Sequence, residues 1–292
     1  MGDVLQLAYT DVGQGAPLLL LHAFPLTRAM WQPQITALQA THRLIVPDLR
    51  GFGATAAPPG PYMMAQFAAD LIALLDQLEL PQVALGGLSM GGYIAFELLR
   101  QAPERIAALI LADTRPGADT AEGQARREAN AQIAETQGAA AIAELMIPNL
   151  VAPSATAELR TALHELILGN SPTGIAGALR GMAQRPDSTP ELAAIRVPTL
   201  IVVGEHDTLT PPSEAAAMHA AIAASTLVTI PAAGHLPNLE QPAAFTDALQ
   251  QFLVAKTSRS PSLSRSPSAT SQVISSGKPN VRTVVNVPPL LR

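Results

Sequence analysis

Gly87-Leu88-Ser89-Met90-Gly91 sets a serine between glycines two positions to either side. Gln82 to Gly86 before it reads as a short buried strand, and Gly92 to Arg100 after it places Ile94, Ala95, Leu98 and Leu99 at helical spacing. A strand-to-helix turn that tight strains the serine backbone and leaves no room for side chains two residues away. The serine Oγ is then expected above the strand's carboxyl end, at a helix N-terminus. A hydroxyl is a weak nucleophile, so it needs a base, and the base needs an orienting acid. Of His22, His42, His164, His206, His219 and His235, the last sits in Ala232-Ala233-Gly234-His235-Leu236-Pro237, between the last strand and the last helix. That position shares a rim with Ser89. His42 precedes a strand, while His164 and His219 lie in helical patterns, where surface roles are the default. Asp207, in Gly204-Glu205-His206-Asp207, follows the run Leu200–Val203 onto the same rim and is the expected acid. Asp113, after Ile106–Ala112, reaches that rim too and remains a rival; Glu205 could serve as an ion-pair partner. Serine, histidine and acid so disposed would carry out acyl transfer.

These residues are only useful if a framework brings their loops together. Apolar runs of strand length occur at Leu5–Thr10, Leu18–Leu21, Leu44–Val46, Val83–Gly86, Ile106–Ala112, Thr199–Val203 and Thr226–Ile230. Helical patterns alternate with them at Met30–Leu38, Gln66–Leu78, Gly91–Arg100, Ser213–Ala221 and Phe245–Val254. Continuous apolar strands separated by helices imply a mostly parallel sheet covered on both faces, which binds ligands beyond its strands' carboxyl ends. From Arg115 to Thr189 only helical patterns occur, with breaks at Gly138, Pro148, Pro153, Gly169–Pro172 and Pro186. Roughly 75 residues exceed an ordinary crossover and are read as a helical cap inserted after the sixth strand. The expected division is a core at 1–114 and 190–256, a helical cap at 115–189, and a tail at 257–292. The tail repeats Ser-Arg-Ser-Pro-Ser and is expected to be a disordered, solvated segment.

The 292 residues are 48% hydrophobic and 14% charged, ample for a core, but only 3% aromatic. There is no cysteine, hence no disulfide and no thiolate metal site. The first residues do not read as a secretory signal and no apolar run is long enough to span a bilayer, so a cytoplasmic protein is expected. Up to Asp247 the chain carries 12 basic and 23 acidic residues, a net of −11, which argues against nucleic acid as a partner. Monomer and homo-oligomer are both compatible with this composition.

In combination, His22-Ala23-Phe24-Pro25, Asp48-Leu49-Arg50-Gly51-Phe52-Gly53, Gly87 to Gly92, Gly204 to Asp207 and Gly234-His235 resemble the α/β-hydrolase fold family. The resemblance is to its cap-bearing carboxylesterase and 3-oxoadipate enol-lactonase-like group, and it runs from about Leu5 to Val254. It implies a seven- or eight-stranded, mostly parallel sheet with helices on both faces and an inserted helical cap. The family order of nucleophile, acid and base fits Ser89, Asp207 and His235. By the same resemblance the backbone N–H groups of Phe24 and Met90 would form an oxyanion hole, with His22 supporting the loop and Ala23 in a place the family gives to glycine. Asp48 to Gly53 is expected to be structural. The implied activity is cofactor-free and metal-free hydrolysis of a small-molecule ester or lactone. With no Trp, Tyr or Phe between Arg115 and Thr189, the lining favours aliphatic substrates. Carbon–carbon bond hydrolysis, with Arg126, Arg127, Arg160 or Arg180 gripping a carboxylate, and perhydrolysis remain alternatives on the same triad. A non-catalytic receptor or scaffold of this fold is the alternative of another class.

Overall fold

A computed structural model describes residues 4–257. The tail expected to be disordered lies, from residue 258 on, outside the described residues. Seven strands form one sheet in the order β1-β3-β2-β4-β5-β6-β7. They are β1 (Tyr9–Val12), β2 (Ala16–Leu21), β3 (His42–Pro47), β4 (Val83–Leu88), β5 (Ile106–Ala112), β6 (Thr199–Gly204) and β7 (Ser225–Ile230). Only β1 runs antiparallel, against β3. The first strand therefore begins at Tyr9, later than the weak alternation at Leu5–Thr10 suggested.

The strands are apolar at successive positions because both faces are covered. Leu19, Leu21, Ile45, Leu85, Leu109, Leu111 and Ile201 join one buried cluster with α2 (Met64–Gln77) and α3 (Met90–Gln101). Their neighbours Leu18, Leu20, Leu44, Ala84, Ile110 and Leu200 join another, with α1 (Gln32–Leu38) and the C-terminal helix (Pro242–Thr257). The period of two along each strand separates the faces. The chain moves outward from β2 to β3, then crosses back to lay β4 against the other side of β2. Such a reversal leaves a crevice at the carboxyl ends of β2 and β4.

Between β5 and β6 lie three α-helices, a short 3-10 helix (Thr189–Ala194) and no strand: α4 (Ala121–Leu150), α5 (Ala157–Leu168) and α6 (Pro172–Ala183). In chain order this insertion follows the fifth strand, not the sixth. Gly138, at φ 84° and ψ −178°, interrupts α4, whereas Pro148 stays inside its last turn without ending it. α6 meets the core through a stripe of glycines. A Cβ on Gly174 would stand 1.9 Å from the Gly51 carbonyl oxygen, and one on Gly181 only 1.6 Å from that of Tyr62. Because those obstacles are backbone, they cannot rotate aside. Gly181→Ala is expected to cost ~3 kcal/mol or more, read as a lowered thermal midpoint. An unchanged midpoint would show that α6 does not sit this close. The remaining helices, α7 (Pro212–Ala221), α8 (Pro237–Glu240) and α9, the C-terminal helix already given, complete the core.

Candidate active site

Ser89 follows β4 and is the N-cap residue of α3, with φ 55° and ψ −112°, a strained backbone for a residue with a side chain. Its amide donates to Ala112 O at 2.9 Å, and its carbonyl accepts from Thr114 Oγ1 at 2.8 Å. The glycines of the motif are required by contact: a Cβ on Gly87 would lie 2.3 Å from Gly91, and one on Gly91 2.5 Å from Leu21 O. The turn can therefore sit directly on β2. The serine is half-buried and faces a cavity of about 390 Å³, also lined by Phe24 and His235.

His235 is 2% exposed and donates from Nδ1 to Asp207 Oδ2 at 2.8 Å. The Thr210 hydroxyl donates to the same oxygen at 2.6 Å, while the Leu209 and Thr210 amides donate to Oδ1 at 2.8 and 3.1 Å. Burial pushes the Asp207 carboxyl up, but His235 and these donors outweigh it and hold it below the usual range. With Nδ1 committed to Asp207, the histidine's Nε2 is the nitrogen left for the cavity side. No hydrogen bond joins Ser89 to His235 among the described residues; such contacts commonly tighten only when substrate binds.

Asp113 also reaches this cluster. Its Oδ1 accepts from the Gly204 amide at 2.8 Å, its Oδ2 is buried without a partner, and its φ is 43°. Burial first, then the neighbouring Asp207 charge, pushes its carboxyl well above the ordinary range. The histidine is thus bonded to Asp207 and not to the rival acid. Donor atoms of Asp113, Asp207 and His235 lie within 4.8 Å of one another, a spacing a metal could use. The hydrogen bonds above already engage Asp207 and His235, and an ion would have to displace them.

The amides of Phe24 and Met90 lie in the loop after β2 and at the first turn of α3 respectively. Neither donates a hydrogen bond among the described residues. Ala23 is not at positive φ, so its Cβ is accommodated where the family has glycine. His22 braces this loop: Nδ1 donates to Ala23 O and Nε2 accepts from the Leu49 amide, both at 3.0 Å. Complete burial lowers its pKa from 6.5 to about 4. Its stabilising contribution is full above pH 6.5 and is lost as pH falls through about 4, because the unfolded chain takes up the proton first. The His22 ring resonances should keep their neutral-form shifts in NMR spectra at about pH 5; protonated-form shifts there would contradict the buried, braced ring. Arg50 pairs with Asp70 at 2.7 Å, and Asp48 with Arg28 at 2.9 Å, below the loop.

Several neighbours escaped the sequence reading. Glu240 accepts from the amides of Ala152, Gly234 and Leu236, tying the His235 loop to the insertion. Only its place five residues after His235 could have drawn attention to it. Thr210, three residues after Asp207, carried a fainter signal. Glu205 lies outside the cluster and accepts from Ala232 N at 2.9 Å. His42 bonds Thr41, and His219 bonds Ser225, both at the surface; His164 lies on α5, away from Ser89. From the insertion, Arg115, Arg126, Arg127, Leu145, Met146 and Met182 reach the cavity.

A sequence profile described as the alpha/beta hydrolase fold matches residues 16–242. The chain is 34% identical over 253 residues to 3-oxoadipate enol-lactonase 2 of Acinetobacter baylyi, covering 85% of this chain and 92% of that protein. A thermophilic esterase from Thermogutta terrifontis, solved with malate bound, superposes with a TM-score of 0.84 at 44% identity, covering 86% of this chain and 93% of that one. The enol-lactonase from Burkholderia xenovorans LB400 superposes at 0.78 with 28% identity, covering 85% and 96%. Among the described residues, no helix is long and apolar enough to cross a membrane.

Proposed function

The chain belongs to the alpha/beta hydrolase fold family, and on that premise we propose that it cleaves carboxylic esters or lactones of small, largely aliphatic substrates through an acyl-enzyme on Ser89. The observation that carries this reading is the strained Ser89 facing one cavity with His235, whose Nδ1 is 2.8 Å from Asp207. His235 Nε2 takes the Ser89 proton as Oγ attacks the carbonyl carbon. Asp207 holds the ring in the tautomer that leaves Nε2 free to accept, and balances the imidazolium that forms. The Phe24 and Met90 amides receive the negative oxygen, each such donor being worth about 10²–10³ in rate. His235 then protonates the departing alcohol, and in a lactone that alcohol stays attached to the acyl chain. Water, deprotonated by the same histidine, attacks the acyl carbonyl, expels Ser89 and releases the acid.

The cavity of about 390 Å³ suits small substrates, and Leu145, Met146, Leu150, Leu179 and Met182 give it an aliphatic wall. The helical insertion acts in this reading as the cap over the site. A fluorophosphonate probe is expected to label one serine per chain, with the adduct on the peptide containing Ser89 by mass spectrometry. Labelling at another residue, or none together with no ester hydrolysis, would overturn the assignment.

A further inference from the structure

The loop that carries the Phe24 amide is held from two sides, and only one of them belongs to the core. His22 Nδ1 and the Leu26 amide both donate to Ala23 O, at 3.0 and 2.9 Å. That oxygen shares a peptide plane with the Phe24 N–H. The anchor on the other side comes from the insertion, where Asn170 Nδ2 donates to Pro25 O at 2.8 Å. We propose that Asn170 is a positioning residue of the oxyanion hole, holding the main chain next to the Phe24 amide in register for the reaction. The inference rests on the hydrolase reading above and adds a residue to its machinery.

Asn170 lies in the turn between α5 and α6 and is 4% exposed. Both its amide protons and its oxygen are used. Besides reaching Pro25 O, Nδ2 donates to Leu166 O at 3.1 Å, and Oδ1 accepts from the Gly53 amide at 2.8 Å. The Leu166 contact satisfies a carbonyl in the last turn of α5, as a helix terminus requires. The other two leave the insertion altogether, reaching residues 145 and 117 positions earlier in the chain. Ending α5 needs neither of them. A primary amide supplies the two donors and the acceptor on one plane.

The mount under Asn170 is closely seated. α6 begins two residues later, and its Gly174 brings main chain against Gly51, in the same loop as Gly53. Three residues further on, Gly177 O accepts from the Tyr62 amide at 2.9 Å. Within the core, Phe52 meets the rings of His22 and Phe24 edge to face, with centroids 5.3 and 6.1 Å apart. The oxyanion loop, the Gly51–Gly53 loop and the α5–α6 turn thus pack as one unit, with Asn170 as its polar pin. An oxyanion donor works by being in place before charge develops, and a misplacement of about 1 Å can cost about a hundredfold in rate. Asn170 does not line the cavity, so its loss should act on turnover and not on substrate binding.

Paired oxygen and thiono esters read this directly. Sulfur is a weak hydrogen-bond acceptor, so O-(4-nitrophenyl) thionoacetate gains less from an oxyanion hole than 4-nitrophenyl acetate does. Wild-type kcat/KM should favour the oxygen ester by about tenfold or more. Asn170→Leu fills the same space with no polar atom, while Asn170→Ala leaves room for a water at Pro25 O. Each should lower kcat for the oxygen ester by about ten- to a hundredfold, with KM within about threefold of wild type. Each should also cut the preference for the oxygen ester by about fivefold, leucine more than alanine. Loss of folded protein scales both esters alike and leaves their ratio untouched, whatever happens to the thermal midpoint. An unchanged ratio in both variants, even at reduced activity, overturns the inference, as does a wild type without preference for the oxygen ester. No hydrolysis of either ester by wild type, with no fluorophosphonate adduct on Ser89, overturns the hydrolase reading itself.

Discussion

With Ser89→Ala, kcat for a short-chain 4-nitrophenyl ester is expected to fall by about 10⁵- to 10⁶-fold. The variant loses the atom that forms the covalent bond, and the cavity's other hydroxyls are engaged elsewhere, that of Thr210 with Asp207 and that of Tyr93 with Arg115. Alanine at position 89 keeps the backbone that donates to Ala112 and leaves the glycine contacts of the turn intact. The fold should therefore survive, with an unchanged circular dichroism spectrum. The strain at φ 55° remains with alanine, so no large gain in stability is expected either. Some rate above uncatalysed hydrolysis should persist, because the amides of Phe24 and Met90 and the binding cavity are untouched. A variant within tenfold of wild type would mean that the nucleophile is elsewhere.

Asp207→Asn should cost about 10⁴-fold in kcat, and Asp113→Asn much less, within about tenfold. An amide at position 207 can still accept from the Leu209 and Thr210 amides, so the loop should keep its shape. What changes is the partner of His235 Nδ1. An asparagine NH₂ turned toward the ring favours the tautomer with its proton on Nε2, which cannot take the Ser89 proton. The substitution also removes the charge that balances the imidazolium. Asp113 makes no hydrogen bond to His235 or Ser89: its Oδ1 serves the Gly204 amide, and within the cluster it neighbours Asp207, not the ring. Paired kcat measurements on the two variants separate the acids, and a larger loss at Asp113 would reverse their roles.

Much of the sheet was legible because burial on both faces writes itself into consecutive apolar residues, as in Leu18 to Leu21 and Leu109 to Ala112. The β4–α3 turn was legible for a steric reason, since Gly87 and Gly91 have backbone within 2.5 Å of where a Cβ would go. Asp207 could be preferred over Asp113 from chain order, but both follow strands onto the same rim, and only side-chain geometry shows which one His235 meets. Arginines were equally opaque. Arg126, Arg127, Arg160 and Arg180 look alike in a sequence, but pairing depends on which helix face meets which acid. The course of α4 was half legible: Gly138 marks an interruption, while Pro148, close to the helix end, loses too little hydrogen bonding to stop it.

The glycine stripe of α6 divides the site's adaptable parts from its fixed ones. At Gly174 and Gly181 main chain rests on main chain, so this helix cannot accept bulkier residues there without leaving its seat. The residues facing Ser89 that are free of that constraint, Arg126, Arg127, Leu145 and Met146 among them, are carried by α4. A lineage drifting toward new substrates would therefore rewrite α4 and leave α6 alone, like a lathe that changes its cutting tool while the bed stays bolted down.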